Sequence, residues 1–362
     1  MQIFVPKESK PSEGRVAIVP AQVAQLVKDG HAVVIESTAG VKSGFTDKAY
    51  KEAGAKLVSE PLAAINKADL IIKVKEPTLD EVSAMQADAI FFGYLHLAAL
   101  PALTKAILKQ GMTALGYETL RLPDGRLPLL APMSEIAGKL AAQNGAWFLR
   151  ADQGGRGVLI GGAAGAQAAK VVVLGGGVVG SNAASVAVGM GGSVTILERD
   201  SKRRKTLSEQ FGRQLKVLPA TEELIQKNVR TCDILIGAVL VAGAKAPQLV
   251  SENLVKQMSK GSVIVDVAVD QGGCIETTRV TTHAQPVFLK HGVLHYGVAN
   301  MPGAVPVTAT QSLTFASFPY IRRLAKLGLA GCLKAFPEMQ SAINCSKGQI
   351  IHPALAAEFL AG

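Results

Sequence analysis

Four polar residues stand where an open α/β sheet offers groups to a ligand, just beyond the carboxyl ends of apolar runs. Arg15 lies in the loop after Ile3-Phe4-Val5, and Lys75 closes Leu70-Ile71-Ile72-Lys73-Val74. His96 follows the run at residues 90–93 in Gly93-Tyr94-Leu95-His96-Leu97. Asp270 follows the run at 262–267 in Asp266-Val267-Ala268-Val269-Asp270-Gln271-Gly272-Gly273. Together they amount to two cations able to hold an anion, an imidazole of a type that titrates near neutrality, and a carboxylate. Singly, each has an ordinary reading. Arg15 is then a surface cation, Lys75 a solvated strand end, His96 a core histidine satisfied by backbone, and Asp270 an Asx turn before two glycines. Four coincident strand-end groups favour a site over four accidents.

A second pattern calls for a dinucleotide. Val171-Val172-Val173-Leu174 reads as a strand buried on both faces. A G-x-G-x-x-G turn follows at Gly175, Gly177 and Gly180, then a helix of small residues to about Met190. A second apolar run, Ser193-Val194-Thr195-Ile196-Leu197, ends on Glu198, about 20 residues past the glycines as the fingerprint requires. Glycine permits the tight turn and close approach to a pyrophosphate, which the helix N-terminus then stabilises. A carboxylate at Glu198 suits ribose hydroxyls and repels a 2′-phosphate, favouring NAD over NADP. The basic run Arg199, Lys202, Arg203, Arg204 and Lys205 keeps NADP open as the alternative.

The elements that must position these groups alternate as βαβα. Strands are expected at residues 3–5, 32–36, 70–74, 89–93 and 113–114, with helices at 20–29 and 101–110 and one ending at 50–54. That alternation implies parallel sheets with helices on both faces. Ser134 is expected to cap a long helix to about residue 149 that connects into the nucleotide domain. Strands at 233–238, 262–267 and 293–299 continue that domain, and residues 308–362 read as helices, with Pro319 as a kink or start and Gly328 as an end. The fold expected is α/β, with two Rossmann-like doubly wound parallel sheets separated by a cleft. Residues 1–130 and 306–362 would form a substrate domain, into which a nucleotide domain, 131–305, is inserted.

Composition narrows the class. With 362 residues, 48% hydrophobic, the chain can bury two cores. The net charge of +10 is scattered apart from residues 199–205, and aromatics are 5%, which gives no base-stacking pattern. Anionic small molecules suit that charge better than nucleic acid. Cys232, Cys274, Cys332 and Cys345 show no C-x-x-C spacing and no histidines at ligand intervals, so neither a metal site nor a disulfide framework is expected. No signal-type h-region and no membrane-spanning run is expected, which points to a cytoplasmic protein.

Across nearly its whole length the chain resembles the bacterial L-alanine dehydrogenase family, whose fold is shared with the soluble nucleotide-binding part of proton-translocating transhydrogenase. The carrying segments include Val5-Pro6-Lys7-Glu8 with Arg15-Val16-Ala17, Ile72-Lys73-Val74-Lys75-Glu76-Pro77, Tyr94-Leu95-His96-Leu97-Ala98 and Leu130-Ala131-Pro132-Met133-Ser134-Glu135. Further along are Ile236-Gly237-Ala238-Val239-Leu240, Val265-Asp266-Val267-Ala268 and Val298-Ala299-Asn300-Met301-Pro302-Gly303-Ala304-Val305-Pro306. The resemblance implies reversible, NAD-dependent oxidative deamination of L-alanine to pyruvate and ammonium. In it Arg15 binds the carboxylate, Lys75 holds the keto oxygen, His96 is the general acid–base, and Asp270 positions water or ammonia. It also implies cofactor contacts at Ser134, Glu198, Arg203, Val239, Leu240, Val267, Asp270, Arg279, Val298, Asn300 and Met301, and a homo-oligomer, a hexamer. The chain departs from the family at Glu198, commonly Asp, at Val307, commonly Arg, and at Ala220, often Ser; the segment at 312–318 is also unusual. A transhydrogenase component, an opine-type reductase and a non-catalytic NAD-binding regulator are the competing readings. The first and last would not need a complete Arg15–Lys75–His96 set.

Overall fold

A computed structural model describes residues 1–239 and 246–360. The chain divides into two compact units, Met1–Met133 with Gly303–Gly362, and Ser134–Pro302.

The first unit begins with six strands: β1 Gln2–Val5, β2 Ala32–Glu36, β3 Lys56–Val58, β4 Leu70–Ile72, β5 Ile90–Gly93 and β6 Thr113–Gly116. Short Val-, Ile- and Phe-rich runs make these strands, and the central ones, β1 and β4, carry side chains from Ile3 to Val5 and from Leu70 to Ile72 with no exposed surface. The intervening helices start where sequence chemistry allows. Pro20, Pro61 and Pro101 occupy first turns, where a missing N–H costs nothing. The Thr46 and Thr78 hydroxyls accept from backbone N–H groups three residues on. All six strands are parallel, in the order β3-β2-β1-β4-β5-β6. The order reverses between β1 and β4, and that switch point is where such sheets leave a crevice for ligands.

The second unit adds β7 Lys170–Leu174, β8 Ser193–Glu198, β9 Lys216–Pro219, β10 Ile234–Gly237, β11 Val263–Asp266, β12 Val287–Lys290 and β13 Val293–Tyr296. Their order is β9-β8-β7-β10-β11-β13-β12. Alternation along each strand feeds two cores. Val171, Val173, Ile196, Ile234 and Ile236 pack with Ala183, Ala184 and Ala187 on one face. Val172, Leu174, Leu197, Leu235 and Ile264 pack with Ile225, Val229 and Leu254 on the other. The run is apolar throughout because both faces are covered.

Three expectations need correction. The sheets are not wholly parallel, since β12 runs antiparallel to β13 at one edge. Residues 308–362 are not all helical: a helix over Pro306–Ala335 breaks at Gly328 (φ 64°, ψ 175°) and carries Pro319 inside it. The chain then makes β14 Ile343–Ser346 and β15 Gln349–Ile350, which add antiparallel strands to the first sheet beside β6. These strands are short and partly polar, so their own residues give little periodicity to read. Finally, Ser134 does not cap its helix, which spans Ala131–Phe148. Pro132 is tolerated in a first turn, and Ala131 N–H already donates to Leu127 O at 2.9 Å, so the helix starts earlier and Ser134 falls inside it.

Candidate functional site

In the first unit the carboxyl ends of β1, β4 and β5 present Arg15, Lys75 and His96. Arg15 is 2% exposed and its guanidinium is gripped by Glu13, with Nε to Oε1 at 2.7 Å and Nη2 to Oε2 at 2.5 Å. Its Nη1 donates to Met133 Sδ at 3.0 Å. The planar fork expected to grasp a ligand is therefore engaged along its Nε edge by a protein carboxylate. Buried pairs of this kind cost desolvation, which fits a group held ready more than one adding stability.

Lys75 is oriented from its backbone. Glu8, reaching across from the segment after β1, accepts from Val74 N–H at 2.6 Å and from Lys75 N–H at 3.3 Å. Burial holds the Lys75 ammonium below its ordinary pKa, with the Arg15 charge adding to the effect. Burial also pushes the Glu8 carboxyl up to about 8, against the opposing influence of Lys73. Lys73 itself is buried and donates to both oxygens of Glu81 at 2.9 and 2.7 Å. Glu81 completes a capping box by accepting from Thr78 N–H at 2.7 Å.

His96 has an exposed ring on a left-handed backbone, φ 47°, a region uncommon for residues other than glycine. Glu118, after β6, secures that conformation by accepting from His96 N–H at 2.7 Å and from Leu95 N–H at 3.2 Å. The His96 ring lies parallel to Tyr94, with centroids 6.0 Å apart, and Tyr94 Oη donates to Leu129 O at 2.6 Å. Sequence reading passed over Glu8, Glu13 and Glu118 as functional. Only Glu13, two residues before Arg15, left a local signal.

In the second unit the glycine turn has the shape its spacing predicts. Gly175 has φ 91°, and a Cβ at Gly180 would stand 1.9 Å from Gly175 O. Among the described residues, nothing beyond its chain neighbours lies within 4 Å of where a Gly177 Cβ would be, and Gly177 precedes the first turn of the helix Val178–Gly189. A diphosphate therefore has room to approach the turn and N–H groups to meet, so the residues fit a dinucleotide. Glu198, ending β8, accepts from Gly176 N–H at 2.7 Å and from Asp200 N–H at 2.8 Å, while Arg203 Nε donates to Gly176 O at 2.7 Å. The two side chains hold the Gly176 peptide from both sides.

The other expected contacts fall at carboxyl ends of the same sheet. Val239 follows β10, Val267 and Asp270 follow β11, and Val298, Asn300 and Met301 follow β13. Asp270 is exposed on a single 3₁₀ turn, Val269–Gln271. Asn300 is left-handed at φ 57°. Val298 and Met301 are buried. Arg279 stands with its guanidinium carbon 4.5 Å over the Phe288 ring. Ser134 lies in the first turn of its helix, and Leu240 is outside the described residues. Among the described residues no three His, Cys, Asp or Glu side chains are grouped to hold a metal, and no helix is long and apolar enough to cross a membrane.

Two doubly wound sheets, one carrying a dinucleotide-type glycine turn and the other a cationic switch point, define an α/β protein of the two-unit nucleotide-binding class. The profile described as "Alanine dehydrogenase/PNT, N-terminal domain" matches residues 4–137, and "Alanine dehydrogenase/PNT, C-terminal domain" matches 141–353. The chain belongs to the alanine dehydrogenase/PNT family. It is 47% identical over 360 residues to the alanine dehydrogenase of Bacillus subtilis (strain 168), covering 99% of this chain and 94% of that one. The alanine dehydrogenase of Staphylococcus haemolyticus (strain JCSC1435) is 46% identical, with 99% and 96% covered. Among solved structures, an L-alanine dehydrogenase superposes with a TM-score of 0.96 at 48% identity, covering 100% of this chain and 99% of that one. A transhydrogenase from Sinorhizobium meliloti superposes with a TM-score of 0.83 at 26% identity, covering 98% of this chain and 100% of that one.

Proposed function

We propose that this protein is an NAD-dependent dehydrogenase that converts L-alanine and water reversibly to pyruvate and ammonium. The observation that carries the reading is the set Arg15, Lys75 and His96 at three strand ends of one sheet, in a chain that aligns along 99% of its length with alanine dehydrogenases. Residues 1–130 and 306–362 would bind the amino or keto acid, and 131–305 the cofactor.

Arg15, oriented by Glu13, takes the substrate carboxylate. Lys75 shares that carboxylate and hydrogen-bonds the keto oxygen. Its desolvated ammonium parts with a proton more readily than a free lysine does. His96 accepts a proton as the amine is oxidised and returns one as the carbinolamine collapses. Asp270 orients the attacking water and stabilises the iminium cation by its charge. Bound NAD would supply the acceptor for the hydride of the alanine α-carbon. The glycine turn and helix start would hold its diphosphate and Glu198 its ribose hydroxyls, and a carboxylate there favours NAD over NADP. A homohexamer working in alanine catabolism in the cytoplasm completes the reading.

The structural likeness to a transhydrogenase favours a second reading, a component that exchanges hydride between nucleotides alone. Absorbance of NADH separates the two. Purified protein with L-alanine and NAD at alkaline pH is expected to form NADH. NADP and D-alanine should give little or none, and His96→Ala should abolish the signal. NADH binding without any alanine-dependent turnover would leave the nucleotide-exchange reading.

A further inference from the structure

We propose that Asp266 is a positioning residue that clamps both ends of the loop 267–273 and so fixes Asp270 at the end of β11. The proposal rests on the role given above to Asp270. Asp266 is the last residue of β11 and is 1% exposed. Its Oδ1 accepts from Ala268 N–H at 3.1 Å, at the start of the loop. Its Oδ2 accepts from Cys274 N–H at 3.0 Å and Ile275 N–H at 3.3 Å, just past the loop's other end. One carboxylate thus ties together two backbone segments separated by the stretch that carries Asp270.

The surroundings are shaped for that carboxylate. A Cβ on Gly237 would stand 2.8 Å from Oδ1, and a Cβ on Gly273 would stand 2.7 Å from Oδ2. Gly237 ends the neighbouring strand β10, and Gly273 (φ 75°) turns the chain back toward the strand end. Val267 N–H donates to Gly237 O at 2.9 Å, so the loop leaves the sheet from a fixed point. Three N–H donors converging on one acceptor, with two glycines making way for it, exceed what a surface turn needs. A buried carboxylate without such donors would carry a large desolvation cost. Among the described residues its partners are backbone N–H groups, the Cys274 thiol and the Thr278 hydroxyl, none of them a group placed in the chemistry above, so its effect on chemistry passes through the loop.

A double-variant cycle tests this, using the full-length protein with L-alanine and NAD. Asp266→Asn keeps the shape but turns an acceptor into a donor facing a backbone N–H. It is expected to lower kcat by about 10- to 100-fold, the scale of an ångström-sized misplacement, with a smaller change in KM for NAD. If Asp266 acts through Asp270, adding Asp266→Asn to Asp270→Asn should cause no further fall in kcat. Wild-type kcat in Asp266→Asn, or losses that multiply in the double variant, would overturn the proposal. Full activity in Asp270→Asn would instead sink the catalytic reading of Asp270, and backbone exchange then decides the clamp alone. In the wild-type protein the amides of Ala268, Cys274 and Ile275 should exchange slowly and that of the exposed Asp270 quickly. Fast exchange at Cys274 and Ile275 removes the clamp even if no variant folds.

Discussion

The acids of the first unit matter as much as its cations, and they act by where their protons and charges sit. Glu8 is nearly enclosed, and burial lifts its pKa from 4.5 to about 8, so at neutral pH the folded protein keeps a proton that the unfolded chain has lost. The folded state binds more protons than the unfolded state across that window. The stability this confers is therefore complete below pH 4.5 and is lost as pH rises through about 8. Glu8→Gln retains an oxygen for Val74 N–H and removes the titration. The expected outcome is a wild-type melting temperature that falls relative to Glu8→Gln between about pH 5 and pH 8. Parallel melting curves for the two proteins over that range would show that Glu8 ionises normally. Glu118 works differently, through the backbone of His96. Glu118→Ala leaves two N–H groups without their acceptor and lets His96 leave its left-handed conformation, so activity should fall more than stability. Glu118→Gln, which keeps one acceptor oxygen, should recover part of it.

Strand ends announced the cations because the signal is local: an apolar run, then a charged residue. The glycine turn was legible for the same reason, since Gly175, Gly177, Gly180 and Glu198 lie on one βαβ unit with fixed spacing. Glu118 was silent because its partner is 22 residues away on a different strand end. The edge pair β14–β15 was silent too, since pairing with β6 is decided by sheet order and not by local pattern. Ser134 misled because a serine before a helical run looks like a cap, whereas Pro132 had already opened the helix. The turn itself offers the sharpest element-scale test. A Cβ at residue 180 would press on Gly175 O, a backbone atom with little freedom to move. Gly180→Ala should cost about 1–3 kcal/mol of stability, the usual penalty for overpacking, and should weaken NADH binding while sparing pyruvate binding. Fluorescence titration of NADH beside thermal unfolding measures both. Unchanged NADH affinity would separate the turn from the cofactor.

Each unit is a doubly wound sheet, and each places its polar groups where its own strand order reverses. In the first unit that point lies between β1 and β4, with Arg15 and Lys75 beyond it, and in the second between β7 and β10, with the glycine turn and Val239 beyond it. The chain's charge of +10 suits the keto acid and the diphosphate proposed as its ligands. One sheet for each ligand makes a prediction about the molecule as a whole, because protection from hydrogen exchange should divide with the ligand. NADH should slow exchange at residues 175–181 and 198–200. At about 100 times its dissociation constant it should add about 2.7 kcal/mol to stability by mass action. Pyruvate should slow exchange at residues 13–16, 73–76 and 94–96, where Glu13, Glu8 and Glu118 already brace the backbone. Protection of the second set by NADH alone, with pyruvate leaving every amide unchanged, would remove the keto-acid site and leave a nucleotide-binding protein. Two separate patterns would tie carboxylate recognition to the switch point of the first sheet, since only direct contact with pyruvate slows amides that NADH leaves fast.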